Sequence, residues 1–139
     1  MIVLDTNVIS ELMQAAPSVK VTQWVGRQLP SDLCTTAINE QEVFYGIELL
    51  AHGKRRDNLL REAEGMFAQD LRGRILPFDS HAARVCARLL AHRRSLGISI
   101  AYADAQIAAI AQVHGAVLAT RDVSDFVHCD IRVLDPWTA

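Results

Sequence analysis

The sequence predicts an α/β fold, a central parallel β-sheet flanked by α-helices on both faces. Short apolar runs alternate with longer segments of helical periodicity from one end of the chain to the other. Acidic or capping residues follow several of those runs, as at Asp5, Asp79 and Asp122. At 139 residues, with no internal repeat, low-complexity tract or linker, the chain fits one domain, residues 1–139, able to bury a substantial core.

The elements follow in order. "MIVLD" reads as a first strand ended by Asp5, with a helix from Asn7 to Met13 and another from Val19 to Gln28. "LCTTAI" is the second strand, and "NEQEVFYGIELLAHG" a helix closed near Gly53. The charged segment "KRRDNLLREAEGMFAQ" is a further helix, "RILPF" a strand, and "SHAARVCARLLAHRRSLG" a long helix. Asp79 or Ser80 is its natural N-cap and Gly97 stands beyond its end. The helix "IAYADAQIAAIA", the strand "AVLAT", a short helix near "RDVSDF" and a last strand "IRVLDP" complete the chain. In sheets of this kind ligands collect at the carboxyl ends of the strands.

Composition narrows the function. No apolar run approaches the roughly 18 residues of a membrane span and no signal-peptide pattern opens the chain, so a soluble, cytoplasmic protein is expected. Cys34, Cys86 and Cys129 lack paired spacing and read as small core residues. His52, His81, His92, His114 and His128 show no zinc-ligand spacing, and no glycine-rich phosphate loop is present. Formal charge is −2, so no basic field marks a nucleic-acid partner; neutralising four acids would turn −2 into +2.

Four acids stand out. Asp104 is the one charged residue of "IAYADAQIAAIA", and helical spacing sets it among Ile100, Ala101, Ile107, Ala108 and Ala111, on the stripe expected to face the core. The alternative is burial against a hydrogen-bond donor. Glu42 is spaced with Ile38, Tyr45 and Leu49 and is expected to point inward; alternatively it closes a capping box with Asn39. Asp5 in "LDTN" and Asp122 in "LATRD" follow strands, where each could equally cap the next helix, with Asp125 in the first turn after Asp122. Carboxylates that converge repel unless they share protons or a cation. Hard oxygen donors select magnesium or manganese, and the chemistry that follows is metal-assisted phosphodiester hydrolysis.

The stretches "MIVLDTNVISE", "TTAINEQEVFYG", "ILPFD", "IAYADAQIAAIA" and "LATRDVSDF" together resemble PIN-domain toxins of the VapBC type, especially the FitB-like branch. The resemblance spans essentially the whole chain. It implies a PIN-like fold and a magnesium- or manganese-dependent endoribonuclease, the toxin of a type II toxin-antitoxin system. It also implies a catalytic and metal-binding quartet of Asp5, Glu42, Asp104 and Asp122, with Asn7 and Thr120 as supporting polar residues and Asp125 at a position where related sequences often keep an acid. Arg121 is a candidate for contacting substrate. The implied partners are RNA, a second copy of the chain, a VapB- or FitA-type antitoxin whose tail enters the acidic crevice, and promoter DNA through the antitoxin complex only. Lys54, Arg55 and Arg56 either touch RNA phosphates or keep a helix end solvated, and solvation is the expectation. Two other classes compete: a noncatalytic PIN-like scaffold, and a phospho-receiver module. A receiver requires a lysine near its last strand, and the only lysines here are Lys20 and Lys54.

Overall fold

Along the first strand, successive side chains leave for opposite faces of the sheet, and each face has its own core. Val3 joins a cluster of 14 buried residues with Cys34, Leu118 and the apolar faces of the two long C-terminal helices. Leu4 joins a second cluster of 13 with Leu33, Ala119 and the four helices of the N-terminal half. This alternation is the two-residue period of a strand buried on both sides. The structure, a computed structural model, describes residues 1–139.

Five strands form the sheet: β1 (Ile2–Leu4), β2 (Leu33–Thr36), β3 (Ile75–Leu76), β4 (Val117–Ala119) and β5 (Val133–Leu134). Their order is β3-β2-β1-β4-β5 and every pairing is parallel. The register sets Val3 beside Cys34 on one side and Leu118 on the other. Six helices cover it: α1 (Thr6–Leu12), α2 (Val19–Gly26), α3 (Ala37–Glu48), α4 (Lys54–Gly65), α5 (Ser80–Ser95) and α6 (Tyr102–Val113). The expected parallel sheet with helices on both faces is what the chain forms, and the helices α5 and α6 pack on the face opposite α1 to α4.

Boundaries moved where a side chain ended an element early. "LCTTAI" reads as strand throughout, but β2 stops at Thr36, whose hydroxyl accepts from the Asn39 N–H at 3.1 Å and starts α3 there. The charged helix ends at Gly65 and continues as a π-helical turn, Met66–Asp70. Asp79 caps α5 through Ala82 N–H at 2.9 Å, and Gly97 takes a left-handed φ of 72° beyond it, both as the sequence leads one to expect.

One buried group closes the C-terminal half. Arg93 on α5 is 3% exposed and has no carboxylate partner. Its Nη1 donates to the carbonyls of Asp125 (2.9 Å) and Val127 (2.8 Å), and its Nη2 to Ser99 (2.7 Å). It thereby ties the 3₁₀ turn Val123–Phe126 and the entry to α6 onto α5. Replacement by leucine leaves three carbonyls without their donor. Arg93→Leu is expected to cost at least about 3 kcal/mol in urea denaturation, with amide exchange accelerating first in residues 123–129. A loss under about 1 kcal/mol would mean that the loops hold without it.

Candidate active site

The strand order reverses between β1 and β4, so a crevice opens at their carboxyl ends. Asp5 stands there. Its N–H donates to the Ala119 carbonyl (2.9 Å) and its own carbonyl accepts from Val8 and Ile9, so the residue finishes β1 and starts α1. It occupies the N-cap position, and within α1 its carboxylate accepts only from Thr6 N–H (2.8 Å). Oδ1 also accepts from Asn39 Nδ2 (3.0 Å), and Oδ2 from the Thr120 hydroxyl (2.6 Å). Burial at 5% exposure pushes the Asp5 carboxyl above its ordinary value. The hydrogen bonds from Thr120, Thr6 and Asn39 oppose that rise, and the nearby Asp122 charge adds to it.

Two arms of hydrogen bonds leave Asp5. On one, Asn39 Nδ2 also donates to Thr6 Oγ1 (3.0 Å), and that hydroxyl donates to Glu42 Oε1 (2.7 Å). Asn39 is fully buried and is held in turn by the Thr36 hydroxyl donating to its Oδ1 (2.7 Å). This removes the capping-box alternative, because the cap of α3 is Thr36 and the Asn39 side chain faces Asp5. Glu42 points to the crevice for a reason other than the expected one. Tyr45 and Leu49 are 63% and 67% exposed, so the stripe shared with Glu42 does not face the core; Asn39, Val43 and Ile47 do. Glu42 itself is half-buried at the rim.

On the other arm, Thr120 Oγ1 accepts from Asn7 Nδ2 (3.0 Å) and from Asp122 N–H (3.1 Å). Asn7 Nδ2 also reaches Asp122 Oδ2 (3.1 Å), while its Oδ1 accepts from Arg121 N–H (3.2 Å). Asp122 leads into the 3₁₀ turn without capping it through its side chain. The exposed Arg121 guanidinium pairs with no acid and sits 4.9 Å from the Trp137 ring centroid.

Asp104 faces both arms from α6. The helix begins at Tyr102, later than its apolar pattern suggests, so Ile100 and Ala101 precede it and Asp104 falls in its first turn. Ile107, Ala108 and Ala111 are fully buried as expected, but Asp104 is half-buried, at the edge of that face. Partial burial raises its carboxyl to about 6, with further increments from the charges of Asp5, Glu42, Asp125 and Asp122 in that order. No hydrogen bond opposes the rise, so the burial-with-donor alternative lacks its donor. Asp125 is exposed and contributes through its charge and its backbone.

The donors are all hard oxygens, and no cation of the chain offsets them. The single salt bridge, Arg56 to Glu48 at 3.2 Å, involves none of the quartet. Such a set suits a magnesium or manganese ion. No three of the His, Cys, Asp and Glu side chains stand as a ready-made ligand cage; magnesium characteristically uses few carboxylates and keeps several of its waters.

A family model described as the PIN domain matches residues 2–130. The chain is a PIN domain of the VapC and FitB type. It is 42% identical to the VapC ribonuclease Y4jK of Sinorhizobium fredii, over 99% of this chain and 98% of that one. It is 38% identical to the toxin FitB of Neisseria gonorrhoeae, over 99% of each. A solved FitAB complex bound to an IR36 DNA fragment superposes with a TM-score of 0.91 at 38% identity, covering 99% of this chain and 96% of that one. The receiver alternative falls with this membership.

Within this PIN domain, two crevice residues carry no signal that local reading would find. Thr6 and Asn39 look like ordinary capping residues, and their roles depend on partners 36 and 34 positions away. The raised Asp104 carboxyl has a consequence for stability. Its folded value, about 6, exceeds the ordinary 3.8, so the folded state holds the proton more tightly and stability declines as pH rises from about 4 to about 6. In EDTA, Asp104→Asn should flatten that limb and leave the protein unchanged or stabilised by up to about 1 kcal/mol at neutral pH, a figure discounted for its exposure. Thermal melts across this range decide it, and clear destabilisation of the variant would count against the crowding of charge.

Proposed function

We propose that this chain is the toxin of a type II toxin-antitoxin pair and a magnesium- or manganese-dependent endoribonuclease acting through Asp5, Glu42, Asp104 and Asp122. One observation carries the reading: Asp104 faces four further acids, Asp5, Glu42, Asp122 and Asp125, with neither a hydrogen bond nor a cation of the chain to offset them, in a protein 42% identical to a VapC ribonuclease. When bound, a divalent ion would supply an activated water and offset charge on the phosphate. The chain's own contribution is placement. Thr120 and Asn39 fix both oxygens of Asp5, Thr6 holds Glu42, and Asn7 holds Asp122, so the acids keep their orientation as charge builds on the substrate.

The proposed partners follow from the same surfaces. An antitoxin of the VapB or FitA type would silence the site by setting an arginine or lysine among the acids. Promoter DNA would be met through that complex, a reading that the FitAB structure bound to a DNA fragment supports. Exposed Tyr45 and Leu49 on α3 and Tyr102 on the adjoining α6 support a homodimer that covers them. No helix is long and apolar enough to cross a membrane, and we place the activity in the cytoplasm, where its RNA would be met.

Incubating the purified protein with RNA and manganese, with and without EDTA, tests the reading, and Asp104→Asn should lower cleavage by at least about 100-fold. No histidine hydrogen-bonds to the crevice acids, so the residues in place favour water over the substrate 2′-hydroxyl as nucleophile. Products should carry 5′-phosphate and 3′-hydroxyl ends, and a substrate with a 2′-deoxy sugar at the scissile position should still be cut. A 2′,3′-cyclic phosphate in the mass spectrum would refute this mechanism. For the partner, replacing the basic tail residue of the copurified antitoxin with alanine should weaken inhibition; unchanged inhibition and affinity would sink the plug.

A further inference from the structure

A large cavity lies apart from the centre of the acidic crevice. It measures about 650 Å³ and lies between the end of α1 and the first turns of α4, with Gln14, Lys54, Arg55, Asn58 and Arg61 in its wall and Glu62 as its one acid. A second cavity of about 200 Å³ is lined by Ser10 and Glu42 and shares Met13, Gln14, Arg55 and Leu59 with the first. The two therefore adjoin, and together they form a trough that starts at Glu42 of the acid quartet and runs into a cluster of three cations.

The basic run at the start of α4 divides in the structure. Arg56 is 14% exposed at its side chain and spends its charge on Glu48. Lys54, Arg55 and Arg61 are exposed, and none forms a salt bridge; Arg61 donates only to the neutral Asn58 oxygen, at 3.3 Å. Solvation of a helix end explains them poorly, since Lys54 and Arg55 lie in the first turn of α4, where the positive end of the helix dipole disfavours cations.

We propose that this trough holds the backbone phosphates of the RNA strand on one side of the scissile bond, with Lys54, Arg55 and Arg61 as the phosphate-contacting residues. The proposal rests on the ribonuclease reading above. Four carboxylates can accept one phosphate with the help of a metal ion, but they repel its neighbours, and a strand can run past them only where cations take over. The trough supplies those cations at the Glu42 end of the crevice, with Gln14 and Asn58 as neutral donors between them. Contacts of this kind grip any sequence, so the trough sets the path of the strand and not the choice of site.

Fluorescence anisotropy of a short, labelled single-stranded RNA of mixed sequence tests this on the Asp104→Asn protein in magnesium, where binding is read without cleavage. Adding Lys54→Gln, Arg55→Gln and Arg61→Gln together should weaken binding about tenfold or more and reduce the slope of log K against log salt by about 2, three contacts at roughly 0.7 each. Arg84→Gln, Arg88→Gln and Arg94→Gln, three exposed cations of α5, remove the same charge elsewhere and should change affinity less than about twofold. Equal losses from the two sets, an unchanged slope, or no measurable binding by the parent would overturn the trough. So would a trough variant that binds RNA normally but loses its copurified antitoxin, since the occupant would then be an acidic protein segment. The ribonuclease reading is judged separately by cleavage with the unaltered chain in manganese: if no RNA is cut while the trough variant still loses affinity, the catalytic reading fails and the trough stands as an RNA contact.

Discussion

The crevice depends on keeping a buried carboxylate satisfied without neutralising it. Asp5 is 5% exposed, and an ionised acid at that depth is costly unless its oxygens are hydrogen-bonded. Its three donors come from three places: the start of α1, the buried turn of α3 and the end of β4. Each is neutral. The network therefore locks the carboxyl ends of β1 and β4 together with α3, while the negative charge that a cation would have cancelled persists. Both Asn39 and Thr120 are fully buried and neutral, so Asp5 gains its hydrogen bonds without a cation of the chain beside it.

This separation of satisfaction from neutralisation extends to the other acids. Thr6 serves Glu42 and Asn7 serves Asp122, again through a hydroxyl and an amide. Asp104 receives nothing, and its carboxyl registers the charge of all the others. The strand order explains the meeting place. With β2 on one side of β1 and β4 on the other, the chain leaves β1 and β4 in opposite directions and a gap remains at their carboxyl ends.

The chain's one buried guanidinium is handled in the complementary way. Arg93 is satisfied by backbone carbonyls, and none of the acids is used to pair with it. Two of those carbonyls belong to the segment that follows Asp122, which continues through left-handed backbone at His128 and Asp130. Among non-glycine residues, aspartate and histidine adopt that conformation more readily than most. Arg93 holds the segment just before His128 and Asp130 through the Asp125 and Val127 carbonyls, so it steadies the loop that presents Asp122 and Asp125 while leaving their carboxylates to the crevice.

Local pattern alone determined the parallel α/β architecture, the cap at Asp79 and the turn at Gly97, and it singled out Asp5, Glu42, Asp104 and Asp122 as candidates, because periods of two and 3.6 residues and the residue types that follow strands are written within a few positions of each other. Direction was less legible. Helical spacing aimed Glu42 at the core along Ile38, Tyr45 and Leu49, yet two of those three are exposed, since which stripe of a helix is buried depends on what packs beside it. It also set Asp104 deeper than it lies, because the apolar run begins before the helix does. Thr6, Asn39 and Arg93 gave no local sign of their roles. Their decisive hydrogen bonds span 36, 34 and 32 positions, and the Thr120 bond to Asp5 spans 115. Only the folded sheet brings such groups within 3 Å of one another, and so only the tertiary structure decided that Thr6 and Asn39 join Asn7 and Thr120 in holding the acids.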